Sequence, residues 1–228
     1  MMSCRICCAA LLAALAGVAV AQVAPGSGEV AQYTGMLAAA ARGDAAEIKR
    51  LAAGGADVNA RDGYGRTPLH VATFRKNRDA ISALVRAGAD INAKESDRYD
   101  AVTIAAVADD VGTLRMLLQL GASAKQTTSR YDGTALIAAA HLGHDLVVKM
   151  LIDAGAPLDH INNLGWTALI ESIVLGNGGK RHIETLRALV QAGANVNLAD
   201  RNGQTPLALA RAKGYAAMVK ILEKAGAR

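Results

Sequence analysis

Apolar residues recur along this chain with the spacing of short helices, and each apolar stretch ends in the dipeptide Gly-Ala. Ile81, Leu84 and Val85 show the pattern, since residues three and four apart lie on one face of a helix. Successive Gly-Ala pairs are 33, 33, 34, 38 and 33 residues apart, beginning at Gly55, Gly88, Gly121, Gly155, Gly193 and Gly226. A sustained period of this length indicates a chain built from repeated structural units.

The polar residues between the apolar stretches predict where each unit turns. Thr67 opens a helix twelve residues after Gly55, where its side chain can cap the N-terminus and Pro68 loses no hydrogen bond. The glycine of each Gly-Ala suits a helix end with positive φ, and runs such as Asp57-Val58-Asn59 suit tight turns. Each unit is therefore predicted to contain two helices and a short finger that resembles a β-hairpin.

These motifs resemble those of the ankyrin repeat family. The strongest match runs from Asp62 to Ala72 as Asp-Gly-Tyr-Gly-Arg-Thr-Pro-Leu-His-Val-Ala, and a second begins at Asn202 with Asn-Gly-Gln-Thr-Pro-Leu. The resemblance covers about Tyr33 to Arg228. It implies an all-α solenoid of about six helix-turn-helix units over residues 33–228, preceded by a flexible lead over residues 22–32.

Three departures from the family pattern are visible. In the third unit, Asp100-Ala101-Val102-Thr103 stands where the helix-opening motif is expected. The connection before Thr134 has one extra residue. The fifth unit has five extra residues around Gly176–Arg181, which we expect between its two helices.

Composition narrows the class of protein. Of the 228 residues, 52% are apolar, which excludes a disordered chain, and 3% are aromatic, which disfavours β-sandwiches and barrels. A helical core of Ala, Leu, Ile and Val is expected. The 25 basic and 20 acidic residues form no concentrated basic stripe, so nucleic acid is not expected as a partner.

The first 21 residues are typical of a secretory signal peptide. Arg5 supplies the charged start, Ile6–Ala16 the apolar stretch, and Ala19-Val20-Ala21 the small-residue cleavage site. Cleavage after Ala21 would leave an exported chain without stable membrane insertion, in the periplasm or secreted; retention as a signal anchor is the alternative. The cleaved segment would carry all three cysteines, Cys4, Cys7 and Cys8, so the mature chain would have no disulfide and no thiolate metal site.

Candidate chemistry is sparse, and neither enzymatic activity nor a cofactor is expected. The glycine-rich stretch at Gly176–Lys180 lacks the glycine spacing and the Ser or Thr of a phosphate-binding loop. Ser172 occupies a helix position usually held by Ala and is predicted to be buried. A histidine-based metal or haem site that uses His141, His160 or His182 remains an alternative.

The resemblance implies a partner surface formed by the fingers and the inner face of each first helix. Reading the repeats in register gives the predicted partner-binding residues: Tyr64, Arg66, Phe74, Tyr99, Arg130, Tyr131, His141, Leu164, Trp166, Arg201 and Gln204. Tyr, Trp and Arg often carry binding energy at interfaces. The alternative is that the aromatic rings merely cover turn backbone and pack finger on finger.

The sequence therefore predicts a non-catalytic, monomeric protein-interaction module that is exported to the periplasm. It would bind a client protein as a scaffold, inhibitor or protector. Two alternatives stay open: a secreted effector or toxin-neutralising protein that acts on a host or competitor, and the histidine-based metal or haem protein.

Overall fold

The computed structural model describes residues 22–228, and the predicted signal peptide and its cleavage site lie outside the described residues. The elements are α1 Ser27–Gln32, α2 Gly35–Arg42, α3 Ala45–Ala53, α4 Pro68–Phe74, α5 Arg78–Arg86, α6 Ala101–Val107, α7 Val111–Gln119, β1 Thr127–Thr128, β2 Gly133–Thr134, α8 Ala135–Leu142, α9 Asp145–Asp153, α10 Ala168–Val174, α11 Lys180–Gln191, α12 Pro206–Ala212 and α13 Ala216–Lys224. The two short strands pair antiparallel within one finger. Across residues 22–228, none of the helices has the length and apolar character that a membrane crossing requires.

Helices α2 to α13 form six pairs stacked side by side, which we number as units 1 to 6. The first helices of successive units pack on one another as an inner row, and the second helices form an outer row. Each unit contacts mainly its neighbours, which is the organisation of a solenoid. The predicted all-α solenoid of six units is confirmed.

Small side chains let the inner helices approach closely. Ala39, Ala72 and Ala139 are fully buried where inner helices meet. Ser172 holds the equivalent place in unit 5 and is also fully buried, as predicted. Its hydroxyl donates to the carbonyl of Leu169 at 2.8 Å, which satisfies the buried polar group.

The helix starts of units 4, 5 and 6 follow the predicted capping chemistry, whereas in unit 2 the hydroxyl of Thr67 lies 2.8 Å from Nδ1 of His70. The Thr134 hydroxyl accepts from the backbone N–H of Ile137, and Thr167 and Thr205 act in the same way. In unit 3, Asp100 takes this role and accepts from the N–H of Thr103 at 2.8 Å. The unusual motif of unit 3 therefore retains a capped helix.

The glycines of all six Gly-Ala pairs have φ between 78° and 98°, the left-handed conformation predicted for them.

Two segments differ from the sequence prediction. Part of the lead expected to be flexible forms α1, and Glu29 within it bonds to Arg66. The five extra residues of unit 5 do not all lie between its helices: the connection has five residues where units 2 and 3 have three, and α11 has 12 residues where α9 has nine. Helix α11 thus begins one turn early.

Candidate protein-binding surface

Each finger is shaped by a side chain at its first turn position. In unit 2, one carboxylate oxygen of Asp62 accepts from the backbone N–H groups of Tyr64 and Arg66, both at 2.9 Å. In unit 5, Asn162 accepts in the same way from Leu164 and Trp166. Equivalent bonds are made by Glu95, Ser129 and Asp200. This shared geometry sets the direction of the fingertips.

Neighbouring fingers are also bonded to each other. The backbone N–H of Ser96 donates to the carbonyl of Tyr64 at 3.0 Å, and that of Asn163 donates to Tyr131 at 2.9 Å. The guanidinium of Arg61 donates to the carbonyl of Lys94 at 2.8 Å. These bonds join neighbouring fingers into one surface, so the position of each finger depends on the fingers beside it.

Tyr64 and Leu164 are the most exposed apolar residues of the predicted site, at 50% and 38%. The Tyr64 ring lies over the guanidinium of Arg66, with 4.6 Å from Cζ to the ring centroid. This cation–π contact holds the ring at the fingertip while one face stays open. The other predicted apolar residues are half-buried and offer partial surfaces: Phe74, Tyr99, Tyr131 and Trp166.

Arg66 itself is 1% exposed, so the prediction that it lies exposed on the partner surface is wrong. Its Nε donates to Asp62 at 2.7 Å, Nη1 donates to the carbonyl of Val23 at 3.0 Å, and Nη2 pairs with Glu29. The segment before unit 1 covers Arg66, because Val23 and Glu29 in that segment bind the guanidinium. Arg66 therefore docks α1 and positions Tyr64 from below.

The charges around Arg66 support one another. Burial alone would raise the pKa of the Asp62 carboxyl, but hydrogen bonds from Tyr33 and Arg66 outweigh it and the pKa lies below its ordinary value. The Tyr33 hydroxyl donates to Asp62 at 2.6 Å, and burial followed by this bond raises the pKa of Tyr33. At neutral pH Tyr33 therefore keeps its proton, while Asp62 and Glu29 are charged and balance the buried Arg66 cation.

The remaining charged site residues bind other fingers or stay exposed. Arg130 pairs with Asp97 at 2.8 Å, and Arg98 pairs with Asp132 at 2.7 Å, which links the fingers of units 3 and 4. Arg201 and Gln204 are exposed on the last finger. The exposed charges of these fingers therefore partly serve to hold the fingers together.

His141 lies half-buried on the inner face of α8, beside a carboxylate that the sequence analysis overlooked. Its Nδ1 is 3.3 Å from Glu171, whose other oxygen accepts from the amide of Asn162 at 2.8 Å. Glu171 stands where units 2 and 3 have Val71 and Ile104, so a carboxylate in an apolar register was the available signal. Glu171 and Asn162 are buried, and half-buried His141 is the member of the group that reaches the inner-helix surface.

The three histidines of the metal alternative do not converge. His182 Nε2 lies 2.9 Å from the carbonyl of His141, whereas His160 Nε2 lies 2.6 Å from the carbonyl of Asp132 in a finger. Among the residues that the structure describes, no group of three His, Cys, Asp or Glu side chains is placed to hold a metal ion.

A family model described as ankyrin repeats matches this chain three times, at residues 7–95, 35–128 and 102–200. The chain belongs to the ankyrin repeat family. The ankyrin repeat protein YahD of Escherichia coli (strain K12) is 34% identical over 192 residues, covering 84% of this chain and 95% of YahD.

Solved ankyrin repeat structures agree with the fold. A domain from Acinetobacter baumannii AYE superposes with a TM-score of 0.80 at 45% identity, covering 85% of this chain and 98% of that domain. The ankyrin repeat protein EF0377 gives a TM-score of 0.75 at 31% identity, covering 85% and 99%. Ankyrin repeats are in general non-catalytic modules for binding other proteins.

Proposed function

We propose that this ankyrin repeat protein is exported to the periplasm, where it binds a client protein through its fingers and inner helices as a scaffold, inhibitor or protector. The proposed export rests on the signal-like pattern of residues 1–21. The observation that carries client binding is Tyr64, half exposed at a fingertip and stacked on a buried guanidinium. An aromatic ring fixed in this way offers contact area at little entropic cost.

The distribution of aromatic residues supports the same surface. The chain has seven aromatic residues, and the fingers or their junctions with inner helices carry five of them: Tyr33, Tyr64, Tyr99, Tyr131 and Trp166. The core contains mainly Ala, Leu, Ile and Val. We therefore define the finger row as Tyr64, Tyr99, Tyr131, Leu164 and Trp166, and propose it as the centre of the client interface.

Client binding is tested with two double variants of the full chain, each carrying a C-terminal tag. Tyr64→Ala with Leu164→Ala removes the most exposed apolar groups of the finger row, and Leu142→Ala with Leu146→Ala removes comparable exposed groups from the opposite side of unit 4. Proteins captured from periplasmic extract are quantified by mass spectrometry. The finger variant should capture at least tenfold less of one specific client than the native protein does, and the control should capture the same amount. The circular dichroism spectrum should be unchanged in both variants.

Equal capture by the finger variant, or equal loss in the control, would show that the client does not bind the finger row.

Export is tested by cell fractionation of the same tagged chain. The proposal expects the protein in the periplasmic extract, with an N-terminal peptide that begins at Gln22. Recovery from the culture medium would favour the secreted alternative, and recovery from membranes with residues 1–21 intact would favour the signal anchor.

A further inference from the structure

A groove between units 1 and 2 lies beyond the finger row, where the first two inner helices end. It is open and has a volume of about 720 Å³. Val30 on α1 and Phe74 on α4 give it an apolar lining, and Arg42, Arg75 and Lys76 stand around it. We call this site the basic groove.

The three cations of the basic groove have no carboxylate within salt-bridge distance among residues 22–228, and all three are exposed. Neighbouring arginines differ, because Arg78 pairs with Asp110 at 3.0 Å and Arg181 pairs with Asp109 at 2.8 Å. Positive charge is therefore available to a ligand at this end of the solenoid.

The turn that follows the first helix of each unit does not require these cations. Arg42 and Arg75 occupy the same position in successive units, where units 3, 4 and 5 carry Ala108, Leu142 and Leu175 and unit 6 carries Lys213. Cations at a helix C-terminus are favourable, which explains why they are tolerated, but apolar residues serve equally well in the next three units.

Lys76 adds an independent observation. Its φ is 57°, a left-handed conformation that costs a non-glycine residue about 1 kcal/mol. Units 1, 4 and 6 use Gly43, Gly143 and Gly214 at the equivalent position, and unit 3 has a second non-glycine residue there, Asp109, with φ of 52°. A lysine is thus held in a strained backbone site beside two arginines and an apolar cleft.

The geometry points to a ligand: the basic groove binds an acidic segment of the client protein. An apolar side chain of that segment lies between Val30 and Phe74, and flanking carboxylates pair with Arg42, Arg75 and Lys76. Arginine forks match carboxylates in bidentate geometry. This inference rests on the proposed function and specifies the chemistry of the partner at one end of the client surface.

A peptide fits the groove better than a long polyanion does. Asp79 stands at the edge of the adjoining cleft, and Arg78 beside it already pairs with Asp110, so the uncompensated positive charge does not continue past the groove on this side. Nucleic acids and anionic lipid surfaces need positive charge over a longer stretch. The mixed apolar and cationic lining instead matches a short segment with one buried side chain.

The test measures fluorescence anisotropy with a fluorescein-labelled peptide of about twelve residues in which one Leu is flanked by Asp and Glu. A matched peptide carries Asn and Gln in place of the acids. The groove variant combines Arg42→Gln, Arg75→Gln and Lys76→Asn, because Asn tolerates positive φ. The control variant combines Arg86→Gln, Arg115→Gln and Lys149→Gln on the exposed sides of the outer helices and makes the same change in net charge.

We expect the groove variant to bind the acidic peptide at least tenfold more weakly and the control less than twofold, with little binding of the amide peptide. The inference is overturned if the native protein does not bind the acidic peptide or if the control weakens binding equally. It is also overturned if an oligodeoxythymidine or phosphatidylglycerol vesicles compete for the same residues more strongly than the peptide.

The two proposals can fail separately. If the groove variant still captures the client that the finger variant loses, the proposed function stands and the groove inference fails. If no client is captured by the native protein, the proposed function fails, and the peptide measurement still decides whether the groove recognises acidic segments.

Discussion

Arg181 of unit 5 bonds to Asp109 of unit 3, with its Nη2 2.8 Å from Oδ2 of a residue 72 positions earlier. Its Nε also donates to Asp145 of unit 4 at 3.1 Å. Arg181 lies in the extra turn of α11, so the five-residue insertion brings a cation to a point where three units meet. Hydrogen bonds to the two carboxylates raise the pKa of the Arg181 guanidinium further.

Arg181→Gln should lower the free energy of unfolding by less than about 1 kcal/mol, because the three side chains are partly exposed and water screens their attraction. The loss should disappear in 1 M salt. Urea unfolding at low and high salt measures both. Arg187→Gln is the control, since Arg187 pairs with Glu184 inside α11, and it should change stability less. Salt-independent loss would contradict an ionic bridge.

Arg66→Met should cost about 3 kcal/mol of stability, because removal of a buried cation leaves Asp62 desolvated and without its partner. Amide hydrogen exchange over residues 23–32 should also accelerate as α1 loses its bonds to Arg66. Arg98→Met, which breaks an exposed ion pair, is the control and should cost under about 1 kcal/mol. Unchanged exchange in the Arg66 variant would show that α1 is held by other contacts.

Asp100→Ala should destabilise the protein by about 1 kcal/mol, because unit 3 loses its helix cap. Asp100→Asn keeps the oxygen that accepts the capping hydrogen bond, so this variant should not be destabilised. Burial raises the pKa of Asp100, so the folded state keeps its proton to higher pH than the unfolded chain and loses relative stability as pH rises above 3.8. The effect is measured as a difference between two urea titrations from pH 3.5 to pH 7: relative to the Asp100→Asn variant, the native protein should lose unfolding free energy as pH rises, because the contribution of His70 is common to both proteins.

His70 should make stability fall in mild acid. Burial lowers the pKa of His70 from 6.5 to about 4, so between these values the unfolded chain binds more protons than the folded one. The free energy of unfolding should therefore decrease as pH falls from 6.5 to 4, by about 3 kcal/mol in total.

His70→Gln provides the control, because Gln at this third helix position can still complete the capping box but does not titrate. Its unfolding free energy should change less over the same pH range. An NMR titration in which the His70 ring protonates near pH 6.5 would contradict the prediction.

Most of the fold was predictable because the repeated residues act locally. The Gly-Ala glycines end helices through their own φ, and Thr134 or Thr167 caps the helix that it begins. Such effects depend on a few adjacent residues and recur at the same spacing in the chain. The period of 33 therefore specified the number of units and the order of their parts.

The partner surface was less predictable because its details depend on residues far apart in sequence. Arg66 occupies an exposed register position, yet it is buried by Val23 and Glu29, 43 and 37 residues earlier. Nothing in the repeat pattern specifies that α1 folds back onto the finger of unit 2. Tyr64 was assigned to the fingertip correctly by register, whereas its support by Arg66 required the structure.

The side chains that link one unit to the next also bear on how this array can change in length. The amide oxygen of Asn59 accepts from Asp90, that of Asn92 from Ser123, and that of Asn197 from Arg228, each across 31 residues. A duplicated unit would bring a matching donor and acceptor with it, so gene duplication could extend most of the array. Unit 4 is the exception, because a second copy would move Arg181 one repeat away from Asp109. We therefore expect the number of units between Asp109 and Arg181 to be held constant while the array varies in length elsewhere.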